Sequence, residues 1–108
     1  MQKTYTYPEY AYEPSEEQRA GVLKRHPVVI IGAGPMGLTQ ALDLAQRGVP
    51  TVLLDDNNTV SVGSRAVCYA KRSLEIWDRL GVGEDFAAAG VQWKVGKVFF
   101  RDELAYGF

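Results

Sequence analysis

Residues 28–56 read VVIIGAGPMGLTQALDLAQRGVPTVLLDD. Val28-Val29-Ile30-Ile31 is apolar at every position and mostly β-branched, the pattern of a strand buried on both faces of a parallel sheet. Gly32-Ala33-Gly34-Pro35-Met36-Gly37 follows without a break. Leu38, Ala41, Leu42 and Ala45 then fall at i, i+3, i+4 and i+7, which predicts a helix with one apolar stripe. Pro35 suits the first turn of that helix, where its missing N–H costs nothing. Arg47 complements the negative C-terminal end, and Gly48 suits the position just past it. Pro50 opens a second apolar run, Thr51-Val52-Leu53-Leu54, that closes on Asp55-Asp56. The expected unit is strand, glycine turn, helix, parallel strand.

The glycines fit the G-x-G-x-x-G spacing in the context that gives that spacing meaning, and Asp55 lies 18 positions after Gly37. Gly32 permits the sharp exit from the strand, and Gly34 lets a pyrophosphate approach the backbone. Gly37 lets the helix pack closely on the sheet, and the helix N-terminus offers N–H groups to phosphates. Asp55, at the strand end, is placed to accept hydrogen bonds from the ribose hydroxyls of an adenosine. Its charge also disfavours a 2′-phosphate, which argues against NADP at this position. Asp56 is the competing acid, and the strand-end position favours Asp55.

Residues 1–26 form an extension in which Tyr5, Tyr7, Tyr10 and Tyr12 alternate with Thr, Pro and Glu. A short helix capped by Ser15 and stopped by Gly21 is expected there, with the tyrosines packed on a neighbouring surface. Residues 27–108 form the expected nucleotide-binding domain. Gly63-Ser64-Arg65-Ala66 reads as a loop, and Lys71–Leu80 reads as a helix with a Glu75–Arg79 pair. Glu84–Ala89 suggests a further turn of helix. From Trp93 the pattern predicts an antiparallel hairpin turning at Asp102-Glu103. Trp77 and Trp93 are expected in the core, Cys68 as a small packed residue, and His26 as a solvated boundary residue.

Composition excludes several classes. The chain has 108 residues with 46% hydrophobic and 23% charged, ordinary globular usage, and a formal net charge of -1 without a basic stripe. A nucleic-acid partner is therefore not expected. No apolar run is long enough to span a membrane, and the N-terminus lacks a signal-peptide core. One cysteine and one histidine supply no metal set. A lone cysteine fits a reducing cytoplasm.

Val28–Gly37 and the residues that follow resemble the N-terminal segment of the FAD-dependent aromatic-ring monooxygenases, of the 4-hydroxybenzoate and 3-(3-hydroxyphenyl)propionate hydroxylase type. The Gly63–Ala66 loop, the Lys71–Gly81 helix and the Gly90–Phe108 hairpin are similar to that family as well. The resemblance implies an α/β fold, a partial FAD-type Rossmann (βαβ) domain with a C-terminal β-hairpin. It implies FAD held by backbone atoms of Gly32, Gly34, Pro35, Met36 and Gly37, by Asp55 at the ribose and by Arg65 at the pyrophosphate. It further implies NADH or NADPH as co-substrate and a small aromatic substrate. Asp55 is shorter than the family's frequent Glu, and Met36 lacks the side-chain donor of a serine.

By the same resemblance this chain is expected to be the N-terminal piece of a longer enzyme, with the catalytic groups lying beyond Phe108. Two other readings fit the fingerprint: a catalytically inactive nucleotide-binding fragment, and an NAD-binding dehydrogenase domain. An apolar strand lacking its second neighbour also predicts self-association.

Overall fold

The computed structural model describes residues 6–61 and 68–108. The chain divides into two units, Met1–Cys68 and Tyr69–Phe108. The first contains α1 (Glu16–Ala20), β1 (Val28–Ile31), α2 (Pro35–Gln46) and β2 (Thr51–Leu54). The second contains α3 (Lys71–Arg79), α4 (Gly83–Ala89), β3 (Lys97–Phe100) and β4 (Glu103–Gly107).

β1 and β2 pair in parallel, from Val28 opposite Thr51 to Ile31 opposite Leu54. The ladder runs one step further, where Gly32 N–H donates to the Leu54 carbonyl at 2.7 Å. Parallel pairing needs a crossover, and α2 supplies it, packing on both strands. The apolar run of β1 predicts burial on both faces, but only one face is covered. Ile30 is buried, whereas Val29 and Ile31 are 50% and 78% exposed. The cause is that α2 covers one side, and successive side chains point to opposite sides.

The buried stripe of α2 also differs from the expected one. Ala41 and Leu42 are partly buried as expected, but Leu38 and Ala45 are exposed, and Gly37 and Leu44 are partly buried instead. Gly37 sets this rotation, because its backbone sits against Gly32 and turns positions 37, 41 and 44 to the sheet. Leu38 and Ala45 then lie about 100° around the helix. Gly48, in the left-handed region at φ 71°, ends the helix and donates to the Ala45 carbonyl at 2.9 Å.

α1 forms as its cap residues require. Ser15 Oγ accepts from Gln18 N–H at 3.2 Å, and Gln18 Oε1 accepts from Ser15 N–H at 2.9 Å. His26 is not merely solvated. Its Nε2 lies 3.0 Å from Glu17 Oε2, tying the helix to the entry of β1. The tyrosine segment reaches the far end of the unit, where Tyr10 N–H donates to the Asn58 carbonyl at 2.8 Å beside a Glu9–Thr59 bridge.

In the second unit the core is aromatic. Trp77 and Leu80 are buried, and the Trp77 ring stacks on Phe86 with centroids 4.0 Å apart. Tyr69 meets the same ring edge-on at 5.0 Å. Gly83 is required by this packing, since a Cβ there would meet Asp78 Cβ at 2.7 Å. The Glu75 carboxylate engages Arg72 at 3.3 Å and Lys71 at 3.7 Å, so the expected Glu75–Arg79 pair is replaced by partners one turn earlier.

The hairpin pairs Lys97 with Gly107 and Phe100 with Glu103, with a bulge at Val98/Phe99. Its turn residues are Arg101 and Asp102, one position earlier than expected, with Arg101 at φ 56°. Trp93 is 58% exposed and contacts Phe108 edge-on, so it lies outside the core. Cys68 is exposed as well, being at the boundary of the first unit rather than in an apolar cluster.

Candidate nucleotide site

The turn between β1 and α2 is where three glycines stand, and each is there for a different reason. Gly32 has φ 98°, a conformation that side chains with a Cβ rarely adopt. Gly37 has no such conformation, but a Cβ on it would collide with the Gly32 carbonyl oxygen and reach Ile30 Cγ2 at 3.3 Å. Gly34 satisfies neither condition. Its φ and ψ are -74° and -178°, open to any residue, and a Cβ there would meet nothing within 4 Å. Neither backbone nor packing within the chain accounts for glycine at 34.

Gly34 is also the N-cap of α2 and provides no side-chain hydrogen bond to the helix start. Pro35 occupies the first turn, and the first intrahelical bond from this end runs from Leu38 N–H to the Gly34 carbonyl at 2.9 Å. The positive end of a 12-residue helix therefore opens onto the turn with no carboxylate of its own.

Asp55 stands where β2 ends. Its Oδ2 accepts from Ala33 N–H at 2.5 Å, and its Oδ1 accepts from Asn57 N–H at 2.8 Å. The Ala33 bond, and after it the Asn57 bond, hold the carboxyl below its ordinary 3.8. With the folded value lowered, the stabilisation these bonds give is present above about pH 3.8. It is lost as pH falls through the lowered value. Asp56 turns to a different partner, accepting from Asn57 Nδ2 at 2.8 Å. Ile31, Gly32, Leu54, Asp55 and Asp56 line an open cleft of about 360 Å³ at the carboxyl ends of both strands. In open α/β sheets this is the end at which ligands bind.

The structure thus brings Gly32, Gly34, Pro35, Gly37 and Asp55 to one turn and strand end. Met36 lies on the first turn of α2 and is 86% exposed. Arg65 lies outside the described residues. Two participants escape a reading by motif, the Ala33 amide and Asn57. The spacing Asp55-x-Asn57 is the local signal for Asn57, since an aspartate commonly bonds the backbone two residues on. No motif marks Ala33, whose part is played by its backbone.

The geometry suits an adenosine diphosphate group. Gly34 leaves room for a phosphate at an uncapped helix start. The Asp55 carboxylate has about four acceptor positions, of which the two protein donors take one on each oxygen. One position per oxygen remains for the two ribose hydroxyls.

A turn of this construction defines a dinucleotide-binding βαβ unit, and comparison with known proteins gives its class. The family of FAD binding domains matches residues 25–105, and the chain belongs to that family. FAD is accordingly the cofactor of its class, and the resemblance to flavin-dependent aromatic monooxygenases is borne out.

Among individual proteins, the chain is similar to a flavin-dependent monooxygenase of Mycobacteroides abscessus, 34% identical over 77 residues, covering 71% of this chain and 16% of that one. It is similar to 6-hydroxy-3-succinoylpyridine 3-monooxygenase HspB of Pseudomonas putida, 40% identical over 73 residues, covering 63% of this chain and 19% of that one. It also resembles para-nitrophenol 4-monooxygenase of Pseudomonas sp. (strain WBC-3), 38% identical over 64 residues, covering 59% and 16%. The chain therefore spans less than a fifth of the length of these relatives. No solved structure gives a significant match. No helix among the described residues is long and apolar enough to cross a membrane.

Proposed function

We propose that this chain holds the adenosine and pyrophosphate of FAD for an NAD(P)H-dependent monooxygenase that hydroxylates a phenolic or similar small aromatic compound. The observation that carries the binding part is Gly34, where neither a strained backbone nor packing within the chain requires glycine and the start of α2 is left open to an approaching phosphate. The names of the relatives support the reaction class and the aromatic substrate. Gly32, Gly34, Pro35, Met36 and Gly37 present backbone to the pyrophosphate, Asp55 takes the ribose hydroxyls, and Arg65 pairs with phosphate oxygens through its guanidinium fork. When bound, FAD supplies the redox chemistry between NAD(P)H and dioxygen. No residue of the chain is assigned a catalytic role.

The experiment that tests the cofactor is a pair of titrations, FAD and NAD+, each followed by calorimetry on the purified chain. FAD is expected to bind at least about tenfold more tightly, a difference of about 1.4 kcal/mol. Equal or tighter binding of NAD+ would favour a dehydrogenase domain and overturn the FAD assignment.

Self-association belongs to the same reading. Among the described residues β1 and β2 pair only with each other, and Val29, Ile31 and Leu54 are exposed on them. Uncovered apolar strands of this kind recruit a further strand or face. Sedimentation velocity across rising concentration is expected to show dimers or larger species. A single monomer boundary throughout would contradict the expectation.

A further inference from the structure

We infer that Asp55 is a positioning residue for the glycine turn as well as a ribose ligand: its carboxylate holds the Ala33 amide and thereby sets the phosphate cradle before a nucleotide arrives. The ribose part rests on the FAD reading of the site. The positioning part rests on geometry within the chain.

The turn is stitched to the end of β2 at two consecutive amides. Gly32 N–H goes to the Leu54 carbonyl at 2.7 Å, and Ala33 N–H goes to the Asp55 carboxylate. The next residue, Gly34, is already the cap of α2. The first bond is backbone to backbone and survives any side-chain change. The second depends on one side chain, 22 positions away in sequence.

Without that second bond, a Gly-Ala-Gly stretch loses a charge-assisted contact, and glycines on both sides gain conformational freedom. The cradle would then have to be ordered by the ligand itself, which lowers affinity. Asn57 N–H fixes the other oxygen, so the carboxylate is oriented from its own side as well as from the turn. Because each oxygen keeps an acceptor position, ribose hydroxyls can add to the carboxylate without displacing Ala33. Asp56, the other ionisable group lining the cleft, is engaged with the Asn57 side chain and does not touch the turn.

The distinguishing probe is a nucleotide that lacks the hydroxyls Asp55 would contact. ADP and 2′,3′-dideoxy-ADP are titrated into the chain and into Asp55→Ala. A residue acting only on ribose leaves the dideoxy affinity unchanged. The positioning role predicts about a tenfold loss for dideoxy-ADP and a larger loss for ADP. Unchanged dideoxy-ADP binding alongside weakened ADP overturns the inference and leaves the FAD reading intact.

Amide hydrogen exchange on the unaltered, ligand-free chain at pH 7 covers the case in which Asp55→Ala does not fold. The Ala33 amide is expected to be protected, and exchange at the rate of an exposed peptide overturns the positioning role. If the unaltered chain binds neither nucleotide, the FAD reading fails. A protected Ala33 amide would then still uphold the hold of Asp55 on the turn.

Discussion

Gly34→Ala is expected to abolish measurable FAD retention while leaving the fold intact. Position 34 has ordinary backbone angles and empty space around the site of a Cβ. Alanine therefore introduces no strain and no collision within the chain. Reduced freedom of the unfolded chain favours it by about 0.4–1 kcal/mol. Alanine is the poorer N-cap by a similar amount, about 0.5–1 kcal/mol. The two effects offset, and the stability should change by less than about 1 kcal/mol.

The ligand meets a different situation. A methyl group at the helix cap stands where a phosphate must approach the backbone, and charge-assisted bonds worth about 1.5–3 kcal/mol each are lengthened or lost. Affinity is expected to fall about a hundredfold. Chemical denaturation beside FAD titration checks both halves. Unchanged affinity would remove the main support for a nucleotide at this turn.

Gly37→Ala should give the opposite pattern. Here the added methyl collides with the Gly32 carbonyl oxygen and presses on Ile30, the buried residue of β1. Neither neighbour yields easily, because Gly32 is backbone in a left-handed conformation and Ile30 anchors the sheet against α2. Overpacking of this kind costs about 1–3 kcal/mol and more where backbone must move. Loss at the upper end, about 3 kcal/mol, is a large part of what a small unit has. FAD binding should be lost together with stability, as a consequence of α2 lifting from the sheet. A midpoint within error of the original chain in urea would show that the helix does not pack as described. The two glycines thus separate ligand contact from packing.

How much of this could be read from residues alone follows the range of the interactions involved. The βαβ unit was legible because its signals are local: a β-branched run, a glycine turn, a helical stripe and an acid at the second strand end. The N-cap at Ser15 and the hairpin after Trp93 were legible for the same reason. Burial was not. Val29 and Ile31 carry the sequence of a two-sided strand, yet only one face is covered in this unit.

The orientation of α2 was legible only in part: Ala41 and Leu42 are partly buried as the stripe requires, but the contact between Gly37 and Gly32 leaves Leu38 and Ala45 exposed, and an apolar stripe cannot register a missing side chain. Trp93 and Cys68 were misplaced by a rule that treats apolar residues as core. At the candidate site the motif marked Gly32, Gly34, Gly37 and Asp55. The Ala33 amide lay beyond any reading by side-chain type. Glu75 engages Arg72 and Lys71 rather than Arg79, a choice among cations three and four residues away that spacing cannot rank.

Cofactor binding at the glycine turn is tested most directly by the visible spectrum of the chain after mixing with FAD and removing free cofactor on a desalting column. A retained flavin band is expected for the unaltered chain and none for Gly34→Ala, with both proteins equally folded by circular dichroism. A colourless unaltered chain, or a flavin band of equal strength in the Gly34→Ala variant, would contradict binding at this turn.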